Sequence, residues 1–175
     1  MRFTPTALDE VVIVDLQPHA DERGYFARTF CAEEFGRAGL PRQFPQCNTS
    51  FNRRRGTLRG LHYQDEPHPE GKLVRCTRGA VFDVAVDIRP ASVTYRRWIG
   101  VELDANGTRS LWIPPGFAHG FVTLADDSEL LYQMTEFYYP ELARGLRWDD
   151  PALGITWPVT APIMSTRDAT YPLLT

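Results

Sequence analysis

His62, in Thr57–Gln64 (TLRGLHYQ), and His119, in Pro114–Phe121 (PPGFAHGF), are histidines set among apolar and glycine residues. A histidine in that setting binds a metal, moves a proton near neutral pH, or packs with its ring nitrogens hydrogen-bonded. The metal reading needs three or four convergent ligands. Gln64 stands where a second histidine would complete a pair with His62, and Lys72 stands roughly where a carboxylate ligand would follow. An ammonium there repels a cation, and Cys31, Cys47 and Cys76 lack metal-type spacing. Metal binding is therefore the lesser reading. Acid–base chemistry requires a base, a group that orients it and an acid, all drawn from other parts of the chain. His68, between two prolines in DEPHPEG, reads as an exposed turn residue.

The elements that must position such residues are strands. VVIVDL, GYFARTF, KLVRCTR, AVFDVAVDI, RRWIGVEL, RSLWI, FAHGFVTL and ELLYQMTEFY are rich in β-branched and aromatic residues, with turn residues between many of them. One short helix is predicted, over Ala32–Gly39 (AEEFGRAG). Many short strands with little helix predict an antiparallel sandwich or barrel, with a jelly roll natural at this length, and the proline-punctuated last third wraps over it as coil. The two-residue period puts Phe82, Val84, Val86 and Ile88 on one face and Asp83 and Asp87 on the other, so the aspartates meet water or a polar cavity. The same rule aligns Leu130, Tyr132, Met134 and Tyr138, and sets Lys72 beside Val74 and Cys76. A lysine in that company needs an anion for its ammonium, or else snorkels to water.

The chain has 175 residues, 43% of them hydrophobic, enough for one core and a single domain over residues 1–175. It shows neither a membrane-spanning run nor an export signal, and three unpaired cysteines suit a reducing compartment, so a cytoplasmic protein is expected. The net charge of −3 argues against a nucleic-acid partner.

From DERGYFARTF through QCNTSFNRRRGTLRGLHYQ, GKLVRCTRGAVFDVAVDIRPASVTY, LWIPPGFAHGF and YYPELARGLRWDDPALGITWP to STRDATYP, the chain resembles the dTDP-4-dehydrorhamnose 3,5-epimerase family. That resemblance implies a cupin-type jelly-roll barrel with short peripheral helices and a coil-like C-terminal segment. It implies a nucleoside-diphosphate 4-keto-6-deoxy hexose as substrate, epimerised at one or both carbons flanking the ketone through an enolate, with no cofactor and no metal. His62 would be the base, Asp168 its orienting partner, Lys72 the enolate's electrostatic partner and Tyr132 the acid. His119 would support the site with Asp83, although its segment also reads as a turn in which the histidine only packs. Arg23, Phe26, Gln46, Asn48, Arg59, Tyr138 and Arg167 would hold the nucleotide. With Arg59 and His62 three residues apart, a bend at Gly60 must bring both to one site. Arg28 stands where the family commonly has glutamate, which makes CDP or GDP carriers competitors of dTDP. The family pattern also implies a homodimer with exchanged N-terminal strands, for which the doubly apolar VVIVDL is suited. A sugar-nucleotide ketoisomerase and a metal-dependent cupin are the alternatives.

Overall fold

The computed structural model describes residues 1–8 and 10–174. In chain order the strands are β1 (Arg2–Pro5), β2 (Val12–Asp15), β3 (His19–Asp21), β4 (Gly24–Phe26), β5 (Gln46–Asn52), β6 (Leu58–Gln64), β7 (Lys72–Arg78), β8 (Ala80–Asp87), β9 (Trp98–Asp104), β10 (Arg109–Ile113), β11 (Phe117–Thr123), β12 (Ser128–Met134) and β13 (Ala143–Gly145). They form a six-stranded sheet in the order β1-β2-β10-β7-β12-β5, a five-stranded sheet in the order β13-β6-β11-β8-β9, and a separate hairpin of β3 with β4. The two large sheets face each other as a cupin-type jelly roll. The helices are α1 (Ala32–Arg37) and α2 (Thr166–Ala169).

The alternation along the strands builds the core. Val74 and Cys76 of β7, Leu111 and Ile113 of β10 and Leu130 of β12 meet Val81 and Ala85 of β8 and Phe117 and Phe121 of β11 between the sheets. Lys72 shares the inward face of β7, as the two-residue period requires. The opposite face of β8, Val84 and Val86, packs with Leu61 and Ala118 against Leu146, Leu153 and Trp157 of the C-terminal segment. Strand β8 is thus covered on both faces, and Asp83 is fully buried.

VVIVDL has a reason of its own within one chain. Val11 and Ile13 join the inter-sheet core, whereas Val12 and Val14 pack with Phe35, Phe30, Phe44 and Trp112 on the outer face of the six-stranded sheet. Helix α1 delivers Phe35 to that cluster, edge-on to Phe3 at 5.3 Å and to Phe30 at 4.9 Å. Glu33 and Glu34 occupy its first turn and Arg37 its last, complementing the helix dipole.

Some elements differ from the sequence expectation. In GYFARTF only Gly24–Phe26 is strand. ELLYQMTEFY leaves the sheet after Met134, where the Thr135 hydroxyl accepts the Gly71 N–H at 2.7 Å. Strand β5 was hidden by its polar composition, QCNTSFN, because it is an edge strand with most of its residues exposed. Strands β1 and β13, of four and three residues, are too short for periodicity to mark.

The loop between β8 and β9 closes on one buried carboxylate. Asp87 accepts hydrogen bonds from the Arg89 guanidinium at 2.9 and 3.0 Å and from the Ser92 and Thr94 hydroxyls at 2.6 Å. The Arg89 guanidinium lies 4.6 Å from the Phe117 ring centroid. Burial pushes the Asp87 carboxyl up, but Arg89, Ser92 and Thr94 outweigh it and hold it far below the ordinary carboxylate range. A depressed folded-state pKa adds stability that is complete above the unfolded value and is lost as pH falls through the folded one. Asp87→Asn is therefore expected to cost about 3 kcal/mol at neutral pH. Urea unfolding should show its gap from wild type narrowing only below about pH 4. A gap that stays constant into strong acid rejects the ionic account.

Candidate active site

A cavity of about 590 Å³ lies between the inner faces of the two sheets, lined from the six-stranded sheet by residues of β5, β7 and β12 and from the five-stranded sheet by residues of β6, β11 and β13. His62 of β6 and His119 of β11 are direct cross-strand neighbours. The next pair in that ladder is Arg59 with Phe121, so two residues of β6, Gly60 and Leu61, oppose the single Gly120 of β11. This bulge supplies the bend that the spacing of Arg59 and His62 demands, and both side chains line the cavity. Glycine is required there twice over. Gly60 has φ +134°, and a β-carbon on it would stand 2.5 Å from the Cα of Gly120.

Asp168 reaches His62 from a distant part of the chain. The C-terminal segment docks on β6 through Leu58 N–H to the Ile163 carbonyl and Ile163 N–H to the Gly56 carbonyl, both at 2.8 Å. Ser165 then caps α2 by accepting the Asp168 N–H at 3.1 Å. This places Asp168 Oδ1 3.0 Å from His62 Nε2, with Oδ2 accepting the Gly60 N–H at 3.3 Å. Burial pushes the Asp168 carboxyl up, but hydrogen bonds with His62, Gly60 and Ser165 outweigh it and hold it below its ordinary value. An ionised carboxylate only accepts, so Nε2 carries the proton and Nδ1 is left as the basic nitrogen.

His119 is buried, with Nε2 3.0 Å from both oxygens of Asp83, and its ring stands edge-on to Tyr132 at 6.0 Å. Tyr132 projects from β12, in the opposite sheet to His62. Burial pushes its phenol well above the ordinary value, the charge of Asp83 adds to this, and Ser50 and Arg59 oppose it. It is a neutral hydrogen-bond donor at physiological pH. Lys72 is 6% exposed and ion-pairs with Glu70 at 2.5 Å.

Cationic and aromatic side chains also line the cavity. Asn52 is buried and accepts Arg59 Nε–H at 2.7 Å, fixing that guanidinium. The Gln46 side-chain Oε1 accepts the Tyr138 N–H at 3.1 Å, and Asn48 lies two residues along β5. The Arg167 guanidinium is 5.7 Å from the Tyr171 ring centroid, and Tyr171 stands edge-on to His62 at 5.8 Å.

Of the residues singled out in the sequence, His62, Lys72, His119, Tyr132 and Asp168 line the cavity, as do Gln46, Asn48, Arg59, Tyr138 and Arg167. Asp83 lies behind His119. Arg23, Phe26 and Arg28 are elsewhere. Arg23 pairs with Asp21 in the β3–β4 hairpin, Phe26 is 75% exposed, and Arg28 binds Glu34 at 2.9 Å. Glu70 and Tyr171 were missed. Glu70 carried a signal, since it precedes Lys72 by one strand period, whereas Tyr171 lies beyond the end of α2 and no periodicity marks it. His68 is half-buried, not an exposed turn residue. It stacks on Tyr139 at 4.2 Å and contacts Glu136 at 3.3 Å, because Gln64 binds the carbonyls of His68 and Phe137 and draws the two loops together. Among the described residues no three His, Cys, Asp or Glu side chains group to hold a metal ion.

The sequence profile of dTDP-4-dehydrorhamnose 3,5-epimerase matches residues 5–175. The chain is 45% identical over 175 residues to the dTDP-4-dehydrorhamnose 3,5-epimerase of Sinorhizobium fredii, covering 99% of this chain and 90% of that protein. It belongs to the dTDP-4-dehydrorhamnose 3,5-epimerase family. Among solved structures, the family's Bacillus anthracis member with TDP and pyrophosphate bound superposes with a TM-score of 0.96 at 36% identity, covering 99% of both chains. The Legionella pneumophila epimerase in complex with dTDP-4-keto-L-rhamnose does so with a TM-score of 0.93 at 40% identity, covering 99% of this chain and 92% of that one.

The glycine bulge gives a direct test of how this epimerase-family cavity is built. Gly60→Ala is expected to lower the free energy of unfolding by about 3 kcal/mol, combining backbone strain with the clash on Gly120. Gly154 has φ +59° but open space around its β-carbon position, so Gly154→Ala should cost only about 1 kcal/mol. Equal losses in urea unfolding would show that the contact with Gly120 contributes nothing.

Proposed function

We propose that the protein epimerises a dTDP-linked 4-keto-6-deoxy hexose at both carbons flanking the ketone, giving the dTDP-4-dehydrorhamnose type of product. The observation that carries this reading is that His62, oriented by Asp168, and the neutral phenol of Tyr132 enter one cavity from opposing sheets. A sugar ring lying between them has a base on one face and an acid on the other.

The ketone acidifies the protons on its neighbouring carbons. His62 takes one through Nδ1, and the C–H electron pair moves into the ring as the carbonyl oxygen becomes an enolate. The imidazolium that forms is stabilised by the adjacent Asp168 carboxylate. Lys72 faces the enolate oxygen, and a donor of that kind contributes about 3 kcal/mol of transition-state stabilisation. Tyr132 then returns a proton to the opposite face, and exchange with solvent takes the proton from His62 and restores that of Tyr132 before the second carbon reacts. The substrate's own ketone is the electron sink, so neither metal nor organic cofactor enters the scheme. His119, held by Asp83, supports the site beside Tyr132.

Arg59 and Arg167 suit the diphosphate, for which a planar guanidinium fork is the matching shape. Gln46, Asn48 and Tyr138 face the nucleoside. Arg23, Phe26 and Arg28 serve this role from a second copy of the chain, in a homodimer with exchanged N-terminal strands. The β3–β4 hairpin supports this, since all six of its residues are exposed, Tyr25 at 59% among them, and an isolated hairpin is marginal in water. The three cysteines are free thiols, the state that a reducing cytoplasm maintains.

Incubation in heavy water with 4-keto sugars on dTDP, CDP and GDP, followed by NMR, is expected to show deuterium entering both flanking carbons of the dTDP sugar. Exchange at one carbon makes the protein a single-centre epimerase, exchange only on CDP or GDP refutes the carrier, and no exchange refutes the mechanism. His62→Asn should abolish exchange while leaving dTDP affinity within about twofold, and Asp168→Asn should cost on the order of 10⁴-fold or less. Small-angle scattering at micromolar protein should give the mass of a dimer, and Phe26→Ala should raise KM. A stable, fully active monomer excludes the exchanged arrangement.

A further inference from the structure

We propose that Glu70 is the positioning residue for Lys72, and that it sets kcat by holding the ammonium where its remaining N–H groups reach the ketone oxygen. The proposal rests on the reading of Lys72 as the enolate's partner and adds what makes that role physically possible. A lysine that is 6% exposed carries a charge removed from water, and an ammonium without a partner in that position costs several kcal/mol. Glu70, with a side chain only 11% exposed, supplies the opposite charge at 2.5 Å and lines the same cavity. The ammonium has three donors, and Glu70 takes one of them. The others are left to the substrate, and the four-carbon stem is fixed by that ion pair.

The backbone that carries Glu70 is itself held from both sides. Gly71 exchanges hydrogen bonds with Thr135, its N–H to the Thr135 hydroxyl at 2.7 Å and its carbonyl from the Thr135 N–H at 3.0 Å. Trp112 presses on Gly71 so closely that a β-carbon there would lie 2.4 Å from the indole. Upstream, Gln64 binds the His68 carbonyl at 2.6 Å. Glu70 therefore projects from a fixed stretch of chain, one strand period from Lys72 and on the same face. Its carboxylate acts through Lys72 and needs no contact with substrate.

The test is a kinetic double-mutant cycle on the full chain, using the keto sugar that the wild type epimerises. Glu70→Gln is nearly isosteric and is expected to lower kcat on the order of tenfold to a hundredfold, as misplacement of a reacting group does. KM should stay within about twofold, because the proposed diphosphate contacts, Arg59 and Arg167, are untouched. Glu70→Asp, which keeps the charge on a shorter stem, should fall between Gln and wild type. In a Lys72→Met background the same Glu70→Gln change should cost less than about twofold, since the group it acts through is gone. A kcat that is unchanged or raised in Glu70→Gln overturns the proposal, and so does an equal loss in both backgrounds. Circular dichroism of each variant separates these outcomes from unfolding. Failure of the wild type on every keto sugar refutes the proposed reaction, whereas an active wild type with a fully active Glu70→Gln enzyme refutes the role of Glu70 alone.

Discussion

Across β6 and β11 the backbones of Gly60 and Gly120 approach so closely that a β-carbon on either would enter the other's space. The residue count of the two strands differs by one at that point, and the extra residue reverses the side-chain alternation of β6. Without it Arg59 would face the outer, apolar layer under the C-terminal segment while His62 faced the cavity. With it an arginine and a histidine three positions apart serve one chamber. The same local geometry turns the Gly60 N–H toward Asp168. One bulge thus selects which side chains enter the cavity and helps to fix the carboxylate that orients its base.

Beyond that bulge, both histidines and the lysine of the cavity have a carboxylate of their own. Asp168 faces His62, Asp83 faces His119 and Glu70 faces Lys72. The pairs come from separate elements but obey one rule of low-dielectric surroundings, that a buried carboxylate needs a hydrogen-bonding partner. Arg59 is the contrast. Its guanidinium is held by the neutral Asn52, so its positive charge is not cancelled and remains available to an anion.

The strands that alternate cleanly could be read from sequence, and Lys72–Arg78 and Ala80–Asp87 lie where the periodicity puts them. Which residues share a face could be read too, Asp83 opposite Val84 and Lys72 beside Val74, but not whether Asp83 met water or a cavity. Strand β5 could not, because an edge strand between cavity and solvent has no apolar face to reveal it. The pairing of Asp168 with His62, 106 positions away, leaves no periodic trace and was reached through family resemblance alone. Glu70 stood one strand period from Lys72, yet a carboxylate in a loop of prolines carries no periodic mark of its own. His68 was misread for the same reason, since nothing in DEPHPEG reports that Gln64 would draw that loop onto Tyr139.

Strand β5 closes the cavity on one side and is a single strand thick, with Cys47 and Phe51 turned to solvent. An edge strand has one hydrogen-bonded neighbour, here β12. A change at Gln46 or Asn48 therefore disturbs few other residues. Strands β6 and β11 are locked by the facing Gly60 and Gly120, and β8 and β11 by packing on both faces, so they tolerate little. Change is thus easier in that wall than in the strands that carry His62 and His119, so the histidines are held fast while the handle beside them is free to change.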